Sequence, residues 1–407
     1  MSEESAPVIS WKARVILCPD QGPLTGHRLI TRGPEIVGLF PDRSLPHIDR
    51  EIDLDDSVLL PMPINAHCHL DLSSFDSPIP AGGHFTDWLT RVVMHRRSIG
   101  LSATDAVSRG IEQLCQYGTR VVGDIQASLG IASDLWSEHL SGTVYHEIVG
   151  LKPERYEPLW EWAHASLADS SARIRHGLSP HGPYSTSRVI FSRSAGSAPL
   201  VTHWLESADE REFLATGRGP FRDFLERIGA WPQAYRPITN PWQELLTGGR
   251  WTLVHANYLS NDDENELAQR DVRDRIAAIV YCPRTHAHFG HLLHPAARLI
   301  EMGIPVALGT DSLASNPDLD VWNEAIWLSH HSRLLSPRQI VTMATKYGGS
   351  AIGDSRYGSF SPGSFAHLWG FRLRDGVGND LWEATLDQAS SRSAVIYFGE
   401  LIDVAKR

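Results

Sequence analysis

Leu60-Pro61-Met62-Pro63-Ile64-Asn65-Ala66-His67-Cys68-His69-Leu70 opens the part of the chain where the hydrophobic pattern changes character. An apolar run of strand length leads into two histidines separated by one residue. Side chains alternate along a strand, so residues two apart share a face. His67 and His69 therefore point the same way and can hold one ion, neutral imidazole being the commonest metal ligand. Cys68, between them, points away and reads as a small packing residue. A His-x-His pair often arises by chance, so its weight depends on the rest of the chain.

Eight candidate strands can be placed: residues 63–70, 118–125, 143–151, 173–180, 199–205, 251–257, 277–283 and 304–310. Segments of helical character separate several of them, such as 103–117, 210–214 and 261–269. That alternation is the signature of βα units around a parallel sheet. Eight units over about 250 residues match a TIM-type (β/α)8 barrel. Before residue 62 the pattern is one of short strands (Trp11–Leu17, His27–Thr31, Glu35–Leu39), and it returns after residue 355 with turns at Gly358, Pro362, Gly363, Gly376 and Gly378. The expected α/β architecture is a barrel over residues 63–354, flanked by a small β-sandwich domain built from residues 1–62 and 355–407.

In such a barrel every strand delivers its C-terminal end to one face. His67 and His69 close the first strand, His181 follows the fourth, His203 and Glu206 close the fifth, His255 ends the sixth and Asp311 follows the eighth. A third histidine and an aspartate beside the first pair complete a nitrogen–oxygen site with room for water, as catalytic zinc sites require. Glu206 lies three residues past His203, on the opposite face of a regular strand. It enters the site only if the chain leaves the strand there; the alternative is a solvated loop glutamate. Next to His203 in this set, a proton-shuttling role is the stronger reading. Residues 80–97 carry Phe85, Trp88, His95 and Arg96 and read as a lid or as an amphipathic helix on the barrel, with Trp88 the expected substrate contact.

With these segments in order, the sequence resembles the amidohydrolase superfamily, in its mononuclear aminohydrolase branch of adenosylhomocysteine, guanine and aminodeoxyfutalosine deaminases and triazine hydrolases. The resemblance is carried by residues 60–70, Thr202-His203-Trp204-Leu205-Glu206, Val254-His255-Ala256, Tyr281-Cys282-Pro283-Arg284 and Leu308-Gly309-Thr310-Asp311-Ser312. It implies that His67, His69, His203 and Asp311 bind one divalent metal, zinc first and iron as the alternative. It implies that His255 contacts the attacking water or the tetrahedral intermediate, that Glu206 moves protons between water and substrate, and that His181 contacts substrate. Asp311 would accept the water's proton. His286 stands where the family pattern has asparagine and is expected to line the pocket; His288, His291 and His294 in the same loop make a weak case for a second metal. Binuclear relatives use a carboxylated lysine near the fourth strand, whereas the only lysines here are Lys12, Lys152, Lys346 and Lys406. Lys152 reads as a solvated loop residue, which favours a single ion.

The implied activity is hydrolysis of a non-peptide carbon–nitrogen bond, with deamination of a purine or nucleoside-like amine first and aminodeoxyfutalosine a plausible substrate. Chlorohydrolase or cyclic amide hydrolase activity uses the same water. A non-catalytic scaffold would be expected to have lost a ligand or the shuttle. The small zinc-deaminase fold needs H-x-E with P-C-x-x-C, and neither is present. The 407 residues carry a net charge of -11 and 42% hydrophobic residues, with no basic aromatic-rich run, which argues against nucleic acid as partner and for a small molecule. No stretch suits a membrane span. Four scattered cysteines, Cys18, Cys68, Cys115 and Cys282, fit a reducing cytoplasm. A homo-oligomer is compatible with all of this.

Overall fold

The computed structural model describes residues 6–99, 103–127, 136, 139–196, 198–232, 234–372, 380–387, 392–397 and 399–402. Seven strands precede the barrel: β1 (Val8–Lys12), β2 (Val15–Cys18), β3 (Gly22–Leu24), β4 (His27–Arg32), β5 (Glu35–Pro41), β6 (Arg50–Asp53) and β7 (Ser57–Pro61). The barrel strands are β8 (Ile64–Cys68), β9 (Val121–Gln126), β10 (Ser141–Ile148), β11 (Ile174–Pro180), β12 (Leu200–Trp204), β13 (Trp251–His255), β14 (Ile276–Tyr281) and β15 (Val306–Leu308). Then come β16 (Leu368–Arg372), β17 (Arg392–Tyr397) and β18 (Glu400–Ile402). All eight expected barrel strands form, in sequence order and parallel, as one sheet from β8 to β15.

The sheet closes on itself where β15 meets β8. Cys68 and Asp311 form a parallel bridge. The backbone N–H groups of Thr310 and Asp311 both donate to His67 O at 3.0 Å. The Asn65 amide donates to Thr310 Oγ1 at 2.8 Å and its oxygen accepts Thr310 N–H at 3.1 Å. This closure is a TIM barrel's closure, and it sets the first strand's histidines beside the eighth strand's aspartate.

Alternation explains the layers. On β12, Leu200 and Trp204 face the helices while Val201 packs inside with Val254, Ala278 and Val280. Cys68 packs outward against Leu70, Val107 and Leu114.

The chain ends supply a four-stranded sheet, β5-β4-β1-β6, and a six-stranded one, β18-β17-β16-β7-β2-β3. Ile9, Trp11 and Leu29 of the first share a core with Ile16, Leu59, Leu368 and Ile396 of the second. The opposite face of the larger sheet, Val15, Leu17, Val58 and Leu60, joins the main core over the barrel.

The single expected strand Trp11–Leu17 is two strands in different sheets. The chain turns at Ala13-Arg14, which carry no buried side chain, and so crosses from one layer of the sandwich to the other. The turn residues Gly376 and Gly378 lie outside the described residues. Among the described residues no helix is long and apolar enough to cross a membrane.

Candidate active site

Four histidines and two carboxylates meet at the C-terminal mouth of the barrel. His67 and His203 point inward by strand alternation. His69 follows β8 in extended conformation. His69 Nε2 lies 3.3 Å from His203 Nε2, and Asp311 Oδ1 lies 3.6 Å from His67 Nε2 and 3.7 Å from His69 Nε2. Ligands at ~2.0–2.1 Å in a tetrahedron stand ~3.3 Å apart, so these spacings are of the size expected for donors around an ion. Candidate ligand atoms lie within 4.8 Å of one another in the overlapping triplets His67–His69–Asp311, His67–His203–His255, Glu206–His255–Asp311 and Glu147–His181–His203.

The donor chemistry fits a metal as well as the spacing does. Both ring nitrogens of His67, Nδ1 of His69 and Nε2 of His255 are buried without a hydrogen-bond partner, a costly arrangement in the absence of an ion. Burial holds His69, His203 and His255 well below the usual histidine range, with neighbouring histidines adding to the effect. They are therefore neutral, the form that binds metal. His203 Nδ1 lies 2.7 Å from the His181 carbonyl, so its N–H donates there and Nε2 is left as the free lone pair. Ser315 donates to Asp311 Oδ2 at 2.8 Å, orienting the carboxylate.

Glu206 and His255 should both face outward if their strands ran on regularly. The backbone corrects this at each position. Leu205 adopts φ 47°, so the chain leaves β12 and Glu206 swings toward the barrel axis. His255 and Ala256 adopt φ 74° and 51°, and Asp311 φ 58°. Among described non-glycine residues only Asp55 shares this left-handed conformation. Each such residue costs on the order of 1–3 kcal/mol, and the cost is concentrated where side chains must be re-aimed. Glu206 Oε1 ends 3.3 Å from His255 Nε2. Burial, then Asp311 and Glu210, push the Glu206 carboxyl well above the usual carboxylate range. Glu210, fully buried in the helix Ala208–Thr216, accepts the Glu206 N–H at 2.9 Å and clamps the turn.

A protein-family model described as the amidohydrolase family matches residues 58–384. The chain belongs to the amidohydrolase family. Aminodeoxyfutalosine deaminase of Deinococcus radiodurans is 32% identical over 336 residues, covering 76% of this chain and 77% of that protein. Among solved structures, Helicobacter pylori aminofutalosine deaminase superposes with a TM-score of 0.80 at 23% identity, covering 97% of this chain and 99% of that one. An adenosine deaminase from Xanthomonas campestris with bound zinc gives 0.77 at 19% identity, covering 97% and 92%. Family membership makes this chain a hydrolase of carbon–nitrogen bonds other than peptide bonds.

The amidohydrolase pocket runs outward from the cluster, with a volume of about 190 Å³. His181, Glu206 and Asp311 line it, as does Trp88 from the helix Phe85–Ile99, whose indole N–H donates to Ala314 O at 3.3 Å. His95, on the same helix, stacks on Phe75 instead. His286 is not among the lining residues. It faces a neighbouring cavity with Tyr281, His291 and His294, because the helix Pro283–His288 carries it behind β14 rather than over the mouth. Among the described residues, no metal-type triplet contains His288, His291 or His294. Lys152 donates to Gly229 O, away from the cluster.

One pocket-lining acid escapes the sequence patterns: Glu147, which meets Arg96 of the 80–97 segment. Glu147 had a signal available. It is a lone acid inside the buried strand β10, on the same face as the inward Tyr145.

Proposed function

We propose that this chain is a mononuclear metal-dependent deaminase acting on a purine or nucleoside-like amine, with aminodeoxyfutalosine as the first substrate to test. His67, His69, His203 and Asp311 would hold one divalent ion, zinc first. The observation that carries the reading is a buried, protonatable Glu206 standing 3.3 Å from His255 at the edge of the histidine–aspartate cluster. The named function of the relative at 32% identity supports the substrate class.

A bound divalent ion would supply a water acidified from its bulk value towards about 7. Asp311 would accept that water's proton on its carboxylate. Glu206, whose carboxyl burial pushes well above the usual carboxylate range, would donate to a ring nitrogen and make the adjacent carbon electrophilic. Neutral His255 faces the same space and stabilises charge developing on the oxygen that attacks. Asp311 would pass the proton taken from the water to the departing amine, so that ammonia leaves, and Glu206 would regain its proton from the hydroxyl left on the ring carbon. The apolar wall of Trp88, Leu89, Val92 and Phe224 excludes bulk water and strengthens each of these interactions.

The test is an ammonia-release screen over amino-purines, nucleosides including aminodeoxyfutalosine, and pterins, on protein of measured metal content. Ammonia from a purine nucleoside, lost on chelation and restored by zinc, is the expected result. Metal-loaded protein that releases ammonia from none of them, while hydrolysing a chlorotriazine or a cyclic amide, overturns the substrate assignment.

A further inference from the structure

Beyond the metal cluster, the pocket wall holds a second polar group for which the reaction has no use. Arg96, from the helix Phe85–Ile99, reaches Asp71 at 3.1 Å and Glu147 at 3.7 Å. Glu147 is 3% exposed, and its Oε1 is buried with no hydrogen-bond partner. That oxygen lies 3.8 Å from His181 Nε2, too far for a hydrogen bond. Both residues line the pocket.

The hydrogen-bond roles are fixed by the surroundings. Ser185 Oγ lies 2.6 Å from His181 Nδ1 and donates to Gly182 O at 3.3 Å. Nδ1 therefore carries the proton, and Nε2 is an acceptor. Burial raises the Glu147 carboxyl while Arg96 opposes the rise. Two acceptors thus face one space, and an occupant must bring donors. Glu147 and His181 come within 4.8 Å of His203, but His203 already faces the main cluster, and the Arg96 guanidinium beside Glu147 repels a second cation at this spot. The Arg96 guanidinium is already engaged by Asp71 and Glu147, which leaves an anion only the unpartnered Glu147 oxygen to face. Neutral donors remain, and hydroxyl groups are the neutral donors of a nucleoside that sit away from its reacting ring.

We propose that Glu147, positioned by Arg96 and Asp71, selects ribonucleosides by accepting hydrogen bonds from the sugar's vicinal hydroxyls, with His181 Nε2 as the companion acceptor. The inference rests on the nucleoside reading given above and adds the part of the substrate that is read. The ring amine would stand against Glu206 and His255, and the sugar against β10. Arg96 orients the carboxylate through one oxygen and leaves the other for the ligand.

The experiment compares adenosine with 2′,3′-dideoxyadenosine as substrates, and inosine with 2′,3′-dideoxyinosine as calorimetric ligands, for wild type, Glu147→Gln and Arg96→Gln. Metal content and thermal midpoint are measured for each protein. Hydrogen bonds to a charged group predict that wild type prefers the ribo forms by about 10- to 100-fold in kcat/KM and in binding. Glu147→Gln should bring that preference within about threefold by losing the ribo forms alone. Arg96→Gln should reduce it less, and it keeps the test alive if the first variant does not fold.

Equal losses on both sugars would mean that Glu147 touches the ring or the leaving amine, and would overturn the proposal. So would a wild type that deaminates both nucleosides equally well; the deaminase reading would survive that result. Neither binding nor ammonia from either nucleoside, with aminodeoxyfutalosine deaminated, would overturn the proposal and leave the deaminase reading standing; no ammonia from aminodeoxyfutalosine either would remove both.

Discussion

Two clusters of buried histidines lie a few residues apart in this barrel, and only one has the makings of a metal centre. His67, His69, His203 and His255 converge with Asp311 and Glu206, and leave several ring nitrogens without partners. His286, His291 and His294 are also buried or half-buried and also have unpartnered nitrogens. Their ring centroids, 5.2 and 5.7 Å apart, look similar to the 4.9 and 5.1 Å of the first cluster. Yet the second group contains no carboxylate, and its ligand atoms do not converge. His291 is engaged by Tyr258 at 2.9 Å, and His294 Nε2 donates to the His255 carbonyl at 2.7 Å. The second cluster braces the backbone of the first. Histidine density marks neither; the aim of the lone pairs and a neighbouring negative charge separate them.

The sharpest way to break this contrast is to remove one converging ligand. His67→Ala should abolish bound metal and reduce turnover by about four orders of magnitude or more. His286→Ala should leave metal content unchanged and activity within about threefold, as read by elemental analysis and ammonia release. Equal metal loss in both variants would erase the distinction.

Glu206→Gln comes next. It should keep the metal and lower kcat by about 10²- to 10⁴-fold, since the isosteric amide cannot shuttle a proton. Near-wild-type turnover would remove the proton-transfer role.

His294→Ala should be milder. It strands the His255 carbonyl, which costs about 1–3 kcal/mol of stability, and it should lower activity while metal is retained. An unchanged thermal midpoint would show that the brace is dispensable.

The smallest effect expected is a dependence on pH. Burial pushes His291 and His294 down to about 4 and His286 to about 3. Unfolded histidines titrate near 6.5. Below that value the unfolded chain binds more protons than the folded one, so their stabilisation is complete above about pH 6.5 and is lost as pH falls towards 4. Each contributes a slope of up to about 1.4 kcal/mol per pH unit. Denaturant melts between pH 7 and 4.5 should show a shallower slope for His291→Gln than for wild type, and an identical slope would contradict the assignment.

Much of this was legible before any coordinates. Strand runs such as 277–283 and 304–310 stand out because a strand buried between helices and barrel interior must be apolar on both faces. The His67–His69 pair is legible through the two-residue period of a strand. The corner at Ala13-Arg14 is not, because a bend between two sheets leaves no break in a short apolar pattern. His286 shows the same limit in reverse. Its place in the family pattern suggests the pocket, but the rotation of one short helix sends it to the cavity next door.

The sequence by itself determined the barrel, the histidine–aspartate set and the family, because periodicity and local motifs are properties of adjacent residues. Tertiary structure alone decided what those residues face. Closure of β15 on β8 brought Asp311 to His67 across more than half the chain. Left-handed turns at Leu205 and His255 reversed the face that alternation assigns to Glu206 and His255. Packing of the helix Phe85–Ile99 over the mouth set Arg96 beside Glu147. Each depends on contacts between distant segments, which outweigh local backbone preference and leave no trace in the spacing of neighbours.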